Sequence, residues 1–408
     1  MSTKPKVAII GLGRVGLPLT LVMADKGYQV FGVEKDEEKV SLLNKKKLPF
    51  REEGMEALFK KHFGERFQVS PSPEVVQEAE GTIICVGTGV DKEGKPDISQ
   101  VLAAVSAIIS HLGRGSLLAV RSTLPPNGLQ KVKSLLSEQG RAVGKDLYLV
   151  YAPERIAEGF AIRELQKQPQ LIGYLDEESR AVAERFFKPF SSKLLFSDAL
   201  DIELGKLFLN TFRYAHFAIA NELALIAYHF GADIHHILEL VNQDYERPIP
   251  GPGFAGGPCL AKDSQMLLFG HNRKTIVSGA HRVNYHLLPT FLVEEINQRK
   301  PLAGKKVAVL GMTFKRNVDD ERDSLSHQLV KLLEKEGAKV HTHDPYTKPY
   351  PLKEVLRDAE VVFLATNHDH YRDLGLAGIK EYLPQSCLIC DLWNVLGTKK
   401  ILFDLKEV

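Results

Sequence analysis

Val7-Ala8-Ile9-Ile10-Gly11-Leu12-Gly13-Arg14-Val15-Gly16, followed after an apolar run to Ala24 by Tyr28-Gln29-Val30-Phe31-Gly32-Val33-Glu34, is the stretch that decides the fold. A short apolar run meets a Gly-x-Gly-x-x-Gly turn, then a helical apolar segment, then a second strand ending in an acid. That order predicts a βαβ unit of the dinucleotide-binding kind. The glycines allow a tight turn and the close approach of a pyrophosphate, which then sits on the helix N-terminus. Gly11, Gly13, Arg14, Val15 and Gly16 form the candidate cradle. Glu34 is placed to accept hydrogen bonds from both ribose hydroxyls, which favours NAD, although Lys35 beside it leaves room for the phosphorylated cofactor. A glycine turn with no ligand is the plainer reading, and it is the complete βαβ context that argues against it.

Outward from this unit, Thr82–Val86, Leu117–Val120 and Leu147–Val150 read as further buried strands. Each runs into a polar or glycine-rich turn: Gly87-Thr88-Gly89, Arg121-Ser122-Thr123 and Ala152-Pro153-Glu154-Arg155. In a doubly wound sheet such turns lie at the carboxyl ends of the strands, where ligands bind. Thr88, Thr123, Glu154 and Glu158 are therefore expected near the cofactor, though each taken alone also suits a cap or turn.

From about residue 199 to 299 the strand pattern gives way to helical periodicity. Leu204, Leu207, Phe208, Phe212 and Phe217 are apolar positions of one long segment, crossed by a polar stripe of Glu203, Lys206, Asn210 and Arg213. At spacings of three and four these share a face. The stripe reads either as a wet face or as Lys206 and Asn210 pointing together into a cleft. Gly251-Pro-Gly-Phe-Ala-Gly-Gly-Pro-Cys259 then packs four glycines and two prolines into eight residues ahead of Cys259. A helix starting there puts Cys259 at its N-terminus, where the dipole favours thiolate, with Asp263 one turn on. A tight turn around a structural cysteine fits that loop equally well.

From about residue 300 the chain loosely repeats its opening, with strand patterns at 307–310, 339–343, 361–365 and 388–391. The turn Gly311-Met312-Thr313-Phe314-Lys315 lacks the later glycines, so a phosphate near Lys315 suits it better than a second dinucleotide. Arg322 is a further candidate anion contact, or part of an exposed cap cluster.

Composition bounds the rest. At 408 residues, two or three domains are expected. Charges of 53 basic against 51 acidic give +2, with no bulk field for nucleic acid or anionic membrane. No apolar run reaches transmembrane length, and the start of the chain has no signal-peptide character. Four cysteines suit a reducing cytoplasm rather than a disulfide framework. Cys387-x-x-Cys390 reads as a buried strand, and no metal is expected.

In order along the chain, Gly11–Gly16, Ser122-Thr-Leu-Pro-Pro126, Pro153-Glu-Arg-Ile-Ala-Glu-Gly159, Glu203–Asn210, Gly251–Asp263, Phe314-Lys315 and Asp319–Ser324 resemble the nucleotide-sugar 6-dehydrogenases, the UDP-glucose/GDP-mannose dehydrogenase family. The resemblance implies an α/β fold in three parts: a Rossmann NAD-binding domain (1–198), a central all-helical dimerisation domain (199–299) and a Rossmann-like UDP-sugar-binding domain (300–408). It implies a homodimer through the central helices. By motif, Cys259 matches the covalent nucleophile, Asp263 an acid working with a bound water, Lys206 and Asn210 the oxyanion holders, and Glu154 the base of thioester hydrolysis. Thr123, Glu158 and Arg322 match contacts around water and cofactor. Arg155, Gly253, Phe254, Gly256, Phe314 and Lys315 join Glu154, Lys206 and Asn210 around the substrate. Arg247 resembles an arginine lent to the neighbouring subunit's substrate.

The implied reaction oxidises a primary alcohol to an acid with two NAD⁺ through a thiohemiacetal and a thioester. The turn Ala365-Thr-Asn-His-Asp-His370 is closer to the form seen with N-acetylhexosamine substrates, which points to UDP-N-acetylmannosamine, then UDP-N-acetylglucosamine, then UDP-glucose. Ala255 and Pro258 depart from the residues usual in relatives. A two-electron 3-hydroxyacid-type dehydrogenase, which needs neither Cys259 nor the third domain, and a nucleotide-sugar sensor that binds without turnover are the alternatives.

Overall fold

Lys6–Ile10 (β1) turns its first residue to solvent and buries the next four in succession. Val7 and Ile9 enter one apolar core, Ala8 and Ile10 another. A strand buried on both faces is the mark of a parallel sheet covered by helices on each side. The computed structural model describes residues 5–271, 274–348 and 350–408. The first four residues of the N-terminal reading lie outside the described residues.

The chain forms two compact units, one running to Leu209 and taking in Gln265–Phe269, the other comprising Asn210–Ser264 and Gly270–Val408. In the first unit, β1 is joined by Gln29–Val33 (β2), Phe67–Ser70 (β3), Gly81–Ile84 (β4), Ser116–Val120 (β5), Leu147–Tyr151 (β6), Gln170–Tyr174 (β7) and Leu194–Asp198 (β8). The eight-stranded sheet has the order β8-β7-β6-β5-β4-β1-β2-β3. Strands β1 to β6 are parallel in the 3-2-1-4-5-6 order of dinucleotide folds, and β7 with β8 runs against them. The strand order reverses between β1 and β4, which places the Gly11 turn at the switch point. The helix Gly16–Asp25 is buried from Gly16 to Ala24. It ends where Gly27 takes a φ of +101° and Tyr28 N–H donates to Met23 O at 3.1 Å, satisfying carbonyls the helix leaves open.

The second unit carries Lys306–Leu310 (β9), Lys339–His343 (β10), Val361–Leu364 (β11), Leu388–Cys390 (β12) and Leu402–Asp404 (β13). They form a five-stranded sheet in the order β10-β9-β11-β12-β13, with β13 antiparallel. Val307, Val309, Val361 and Phe363 pack on Ala224, Ala227, Ile234, Leu288 and Leu292 of the helical segment. Ala308, Leu310, Val362 and Leu364 pack on the opposite side with Tyr371 and Ile379. The α/β class and the helical middle match the sequence reading. Strands β3, β7, β8 and β13 were not legible there. Cys387 and Cys390 are buried in and beside β12, and among the described residues no cluster of metal-ligating side chains occurs.

The helix Ala199–His229 decides between the two readings of its polar stripe. Phe208 and Phe212 are 54% and 62% exposed, while Glu203, Lys206 and Asn210 of the polar stripe are buried. The stripe is therefore not the wet face. Only Arg213 is exposed.

Candidate functional site

In the first unit, strand pairing fixes the cofactor cradle. The register of β1 on β2 brings Ile10 level with Val33, and Gly11 N–H then donates to Val33 O at 2.8 Å. Gly11 takes a φ of +92°, and a Cβ there would lie 2.9 Å from Cys85 O. A Cβ on Gly16 would meet Gly11 O at 1.8 Å, whereas one on Gly13 would meet nothing beyond its chain neighbours within 4 Å. The turn is thus closed behind and open at Gly13, on the N-terminus of Gly16–Asp25. That shape fits a pyrophosphate. Glu34, 7% exposed at the end of β2, accepts from Leu12 N at 3.0 Å and Asp36 N at 3.1 Å, which holds it beside the turn. The residues fit NAD.

Arg14 lies 3.6 Å from Glu158 Oε2, with its guanidinium carbon 5.0 Å from the Phe50 ring centroid. Glu52, which sequence reasoning missed, accepts from Gly159 N and Ala161 N at 2.9 Å and so holds the turn that carries Glu158. Val15, Thr88 and Thr123 are half-buried on their turns. After β6, Glu154 Oε2 accepts from Ile156 N at 2.7 Å, and its Oε1 accepts from Lys206 Nζ at 3.3 Å. The pair is nearly desolvated, with side-chain exposures of 6% for Lys206 and 12% for Glu154. Arg155 Nη2 donates to Pro169 O at 2.5 Å. Glu203 is not a ligand group: its two carboxylate oxygens accept from Asn127 N and Leu129 N at 2.7 Å, capping the helix Gly128–Glu138.

In the second unit, Cys259 O accepts from Asp263 N at 2.9 Å, so Cys259 stands at the N-terminal boundary of the helix Leu260–Leu268. The thiol is exposed. Asp263 is 1% exposed and accepts from Asn210 Nδ2 and Lys262 Nζ, both at 2.6 Å. Asn210 follows Lys206 of the first unit by four residues on the helix Ala199–His229. The glycine loop is held by backbone contacts. Gly257, with φ +94°, donates to Asp323 O at 2.8 Å, and a Cβ there would lie 2.4 Å from the Phe314 ring. A Cβ on Gly253 would sit 2.2 Å from Trp393, and one on Gly256 2.8 Å from Asp323 O. Phe254 is buried beside them.

Asn221, another residue the sequence did not single out, clamps this loop. Its Oδ1 accepts from Gly253 N at 2.8 Å, and its Nδ2 donates to Gly253 O at 3.0 Å and Asn284 Oδ1 at 2.9 Å. A lone asparagine in a helical pattern carries no signal of such a role. Lys315 follows Phe314 on the turn after β9. Arg322 is directed at Asp320, its Nη2 donating to Oδ2 at 2.6 Å, and Arg247 is exposed.

The second turn repeats the first with its opening filled. Gly311 N–H donates to His343 O at 2.8 Å, as Gly11 does to Val33 O. Asp344 takes the place of Glu34, accepting from Met312 N at 2.7 Å. Where Gly13 leaves space, the Thr313 hydroxyl packs 3.0 Å from His368 Nε2. Asn317 N–H donates to His368 Nδ1 at 2.9 Å, which leaves the proton on Nε2 to be donated to Asp344 Oδ2 at 3.0 Å. Burial would raise the Asp344 carboxyl; His368 and the Tyr346 and Met312 N–H groups more than offset it, holding it at about 2. His368, in the turn that carried the sugar preference, is a buried structural group.

Three family models cover the chain. The NAD binding domain of the UDP-glucose/GDP-mannose dehydrogenase family matches residues 5–191, its central domain 201–286 and its UDP binding domain 308–398. A UDP-N-acetyl-D-mannosamine dehydrogenase of Methanocaldococcus jannaschii is 31% identical, over 96% of this chain and 93% of the relative. The solved UDP-D-ManNAc dehydrogenase from Pyrococcus horikoshii superposes with a TM-score of 0.86 at 29% identity, over 93% of each chain. A UDP-glucose dehydrogenase from Pyrobaculum islandicum superposes with a TM-score of 0.85 at 27% identity, over 96% of this chain and 94% of that one.

Proposed function

The chain belongs to the UDP-glucose/GDP-mannose dehydrogenase family, and from that premise we propose that it oxidises the C6 alcohol of UDP-N-acetyl-D-mannosamine to the carboxylate. The observation that carries the chemistry is Cys259, exposed at a helix N-terminus with Asp263 buried one turn on and hydrogen-bonded to Asn210. The preference for this sugar rests on the named relatives and on the turn Ala365–His370. UDP-N-acetylglucosamine and UDP-glucose follow in that order.

When bound, NAD⁺ supplies the hydride acceptor, and four electrons require two of them. Asp263 and Lys206 hold the water that takes the C6 hydroxyl proton. Once an aldehyde exists, the Cys259 thiolate attacks its carbon, forming a C–S bond and an oxyanion. Lys206 and Asn210 donate to that oxyanion, a contribution of about a hundred- to thousand-fold per donor. The second oxidation leaves a thioester on Cys259. Water activated by Glu154 breaks the C–S bond and returns the thiolate. Gly11 to Gly16, Glu34, Thr88, Thr123, Glu158 and Arg322 serve the cofactor; Arg155, Arg247, Gly253, Phe254, Gly256, Phe314 and Lys315 serve the nucleotide sugar.

We assign domain limits of 1–198, 199–299 and 300–408. The exposed apolar stripe of the long helix supports a homodimer. A reducing compartment such as the cytoplasm keeps Cys259 reduced, and no helix among the described residues is long and apolar enough to cross a membrane. The test is a panel of UDP-sugars with NAD⁺, measuring NADH per sugar consumed. A ratio of two, highest in rate with UDP-N-acetyl-D-mannosamine, is expected; a ratio of one, or no turnover with any sugar, overturns the reading.

A further inference from the structure

Arg121 follows β5 and is 4% exposed. Its Nη1 donates to two neutral oxygens, Ala152 O at 3.1 Å and Gln170 Oε1 at 3.0 Å, while its buried Nε has no hydrogen-bond partner. It faces a cavity of about 10 Å³, the space of one water-sized occupant. Arg155 lines the same cavity, and its Nη2 is likewise given to a neutral oxygen, that of Pro169. Neither guanidinium joins an ion pair among the described residues.

The cavity lining contains a single carboxylate, that of Glu164, whose Oε2 accepts from Ala157 N at 2.6 Å. Glu154, on the adjoining turn, acts on both guanidinium groups and is shared with Lys206 at 3.3 Å. Arg121, Arg155 and Lys206 therefore share the two carboxylates Glu154 and Glu164, which leaves one positive charge in excess around the cavity. Water satisfies a stray N–H but leaves the charge uncompensated, and an uncompensated buried charge is costly. Leu165 and Phe190 close the apolar side and leave no room for an organic acid.

We propose that this cavity is a binding site for one small monovalent anion of the halide class, held by Arg121 Nε and Arg155. The ion ties together β5, the turn after β6 and the start of β7. Through the Ala152–Arg155 turn it stiffens the segment that carries Glu154.

The site is tested on the whole protein with bromide. Crystals grown in sodium bromide should give an anomalous peak in the cavity, within contact of Arg121 Nε. Thermal unfolding at constant ionic strength should rise saturably when bromide replaces methanesulfonate, an anion too large to enter. Arg155→Gln should weaken that saturation about tenfold, and Glu164→Gln, which removes the only negative charge in the wall, should tighten it about tenfold. The absence of an anomalous peak in wild-type crystals overturns the proposal, whatever the variants do. A peak whose saturation is unchanged by Glu164→Gln marks an adventitious ion only, and overturns it as well.

Discussion

Asn210 Nδ2 donates to Asp263 Oδ2 at 2.6 Å, and both side chains are at least nine-tenths buried. A hydrogen bond to a carboxylate in such surroundings fixes the amide's orientation as well as the acid's. Asn210→Ala strands one carboxylate oxygen of Asp263 and removes an oxyanion donor. We expect kcat to fall about a hundred- to thousand-fold with KM changed only a few-fold. Steady-state kinetics at saturating NAD⁺ read the split. A change confined to KM would show that Asn210 contributes only to binding.

Cys259 must form a carbon–sulfur bond midway through the reaction, so its removal is the sharpest chemical test. Cys259→Ala should abolish most of the complete oxidation, since the water left in the site is a far weaker nucleophile toward the aldehyde than a thiolate. Intact mass spectrometry of wild-type protein quenched during turnover should find a sugar-nucleotide adduct that Cys259→Ala lacks. Full turnover by the variant would falsify the covalent route.

Lys206 and Glu154 form a nearly desolvated ion pair at 3.3 Å. Removing one partner of such a pair leaves an isolated charge, at a cost of about 3–5 kcal/mol. Lys206→Met should therefore destabilise the protein by about 3 kcal/mol in urea unfolding, and adding Glu154→Gln should recover much of that loss. Both variants should be inactive. Additive destabilisation in the double variant would mean that the two charges do not interact.

Glu203 gives a pH dependence with a definite sign. Burial pushes its carboxyl up, the N–H groups of Leu129, Asn127 and Gly128 pull it partly back, and the balance lies at about 7. The folded state then holds a proton that the unfolded state has released, between the ordinary value of 4.5 and about 7. Stability from this group is full below pH 4.5 and falls as pH rises to 7, by about 3 kcal/mol over the window. Glu203→Gln should flatten that slope, read from urea unfolding at pH 5 and pH 7.5. It should also cost about 1–2 kcal/mol at pH 5, because one of the two caps on the Gly128 helix meets an amide N–H.

What the sequence revealed follows from how local its signals are. The Gly11–Gly16 turn and the acid at Glu34 are fixed by neighbours in the chain, and both lie where the pattern places them. Strand Phe67–Ser70 at the sheet edge alternates weakly, and β7 with β8 runs against the parallel set, so neither offers the long apolar run that marks β1. The long helix left two readings of its polar stripe open. Glu203, Lys206 and Asn210 are buried because each meets a partner far away in sequence: Asn127 and Leu129, Glu154, and Asp263. Asn221 was invisible for the same reason, since its partner Gly253 lies 32 positions on.

The apolar residues displaced to the surface supply the last prediction. Phe212, Ile219 and Ile226 recur every seven residues, Phe230 lies one turn further, and their exposures are 62%, 45%, 48% and 78%. A seven-residue recurrence keeps side chains on one narrow stripe of a helix, which is the geometry of helix-on-helix association. Full burial of one such side chain contributes about 1.5–3 kcal/mol, and a two-fold interface counts each residue twice. Ile219→Glu should therefore weaken self-association by about a thousand-fold or more, adding desolvation of two carboxylates to the lost apolar contact. Sedimentation velocity over a concentration series checks it. Wild-type protein should sediment as a dimer at micromolar concentration and the variant as a monomer with unchanged far-UV circular dichroism. A monomeric wild type would leave the stripe without a partner copy and remove the dimer from the functional reading.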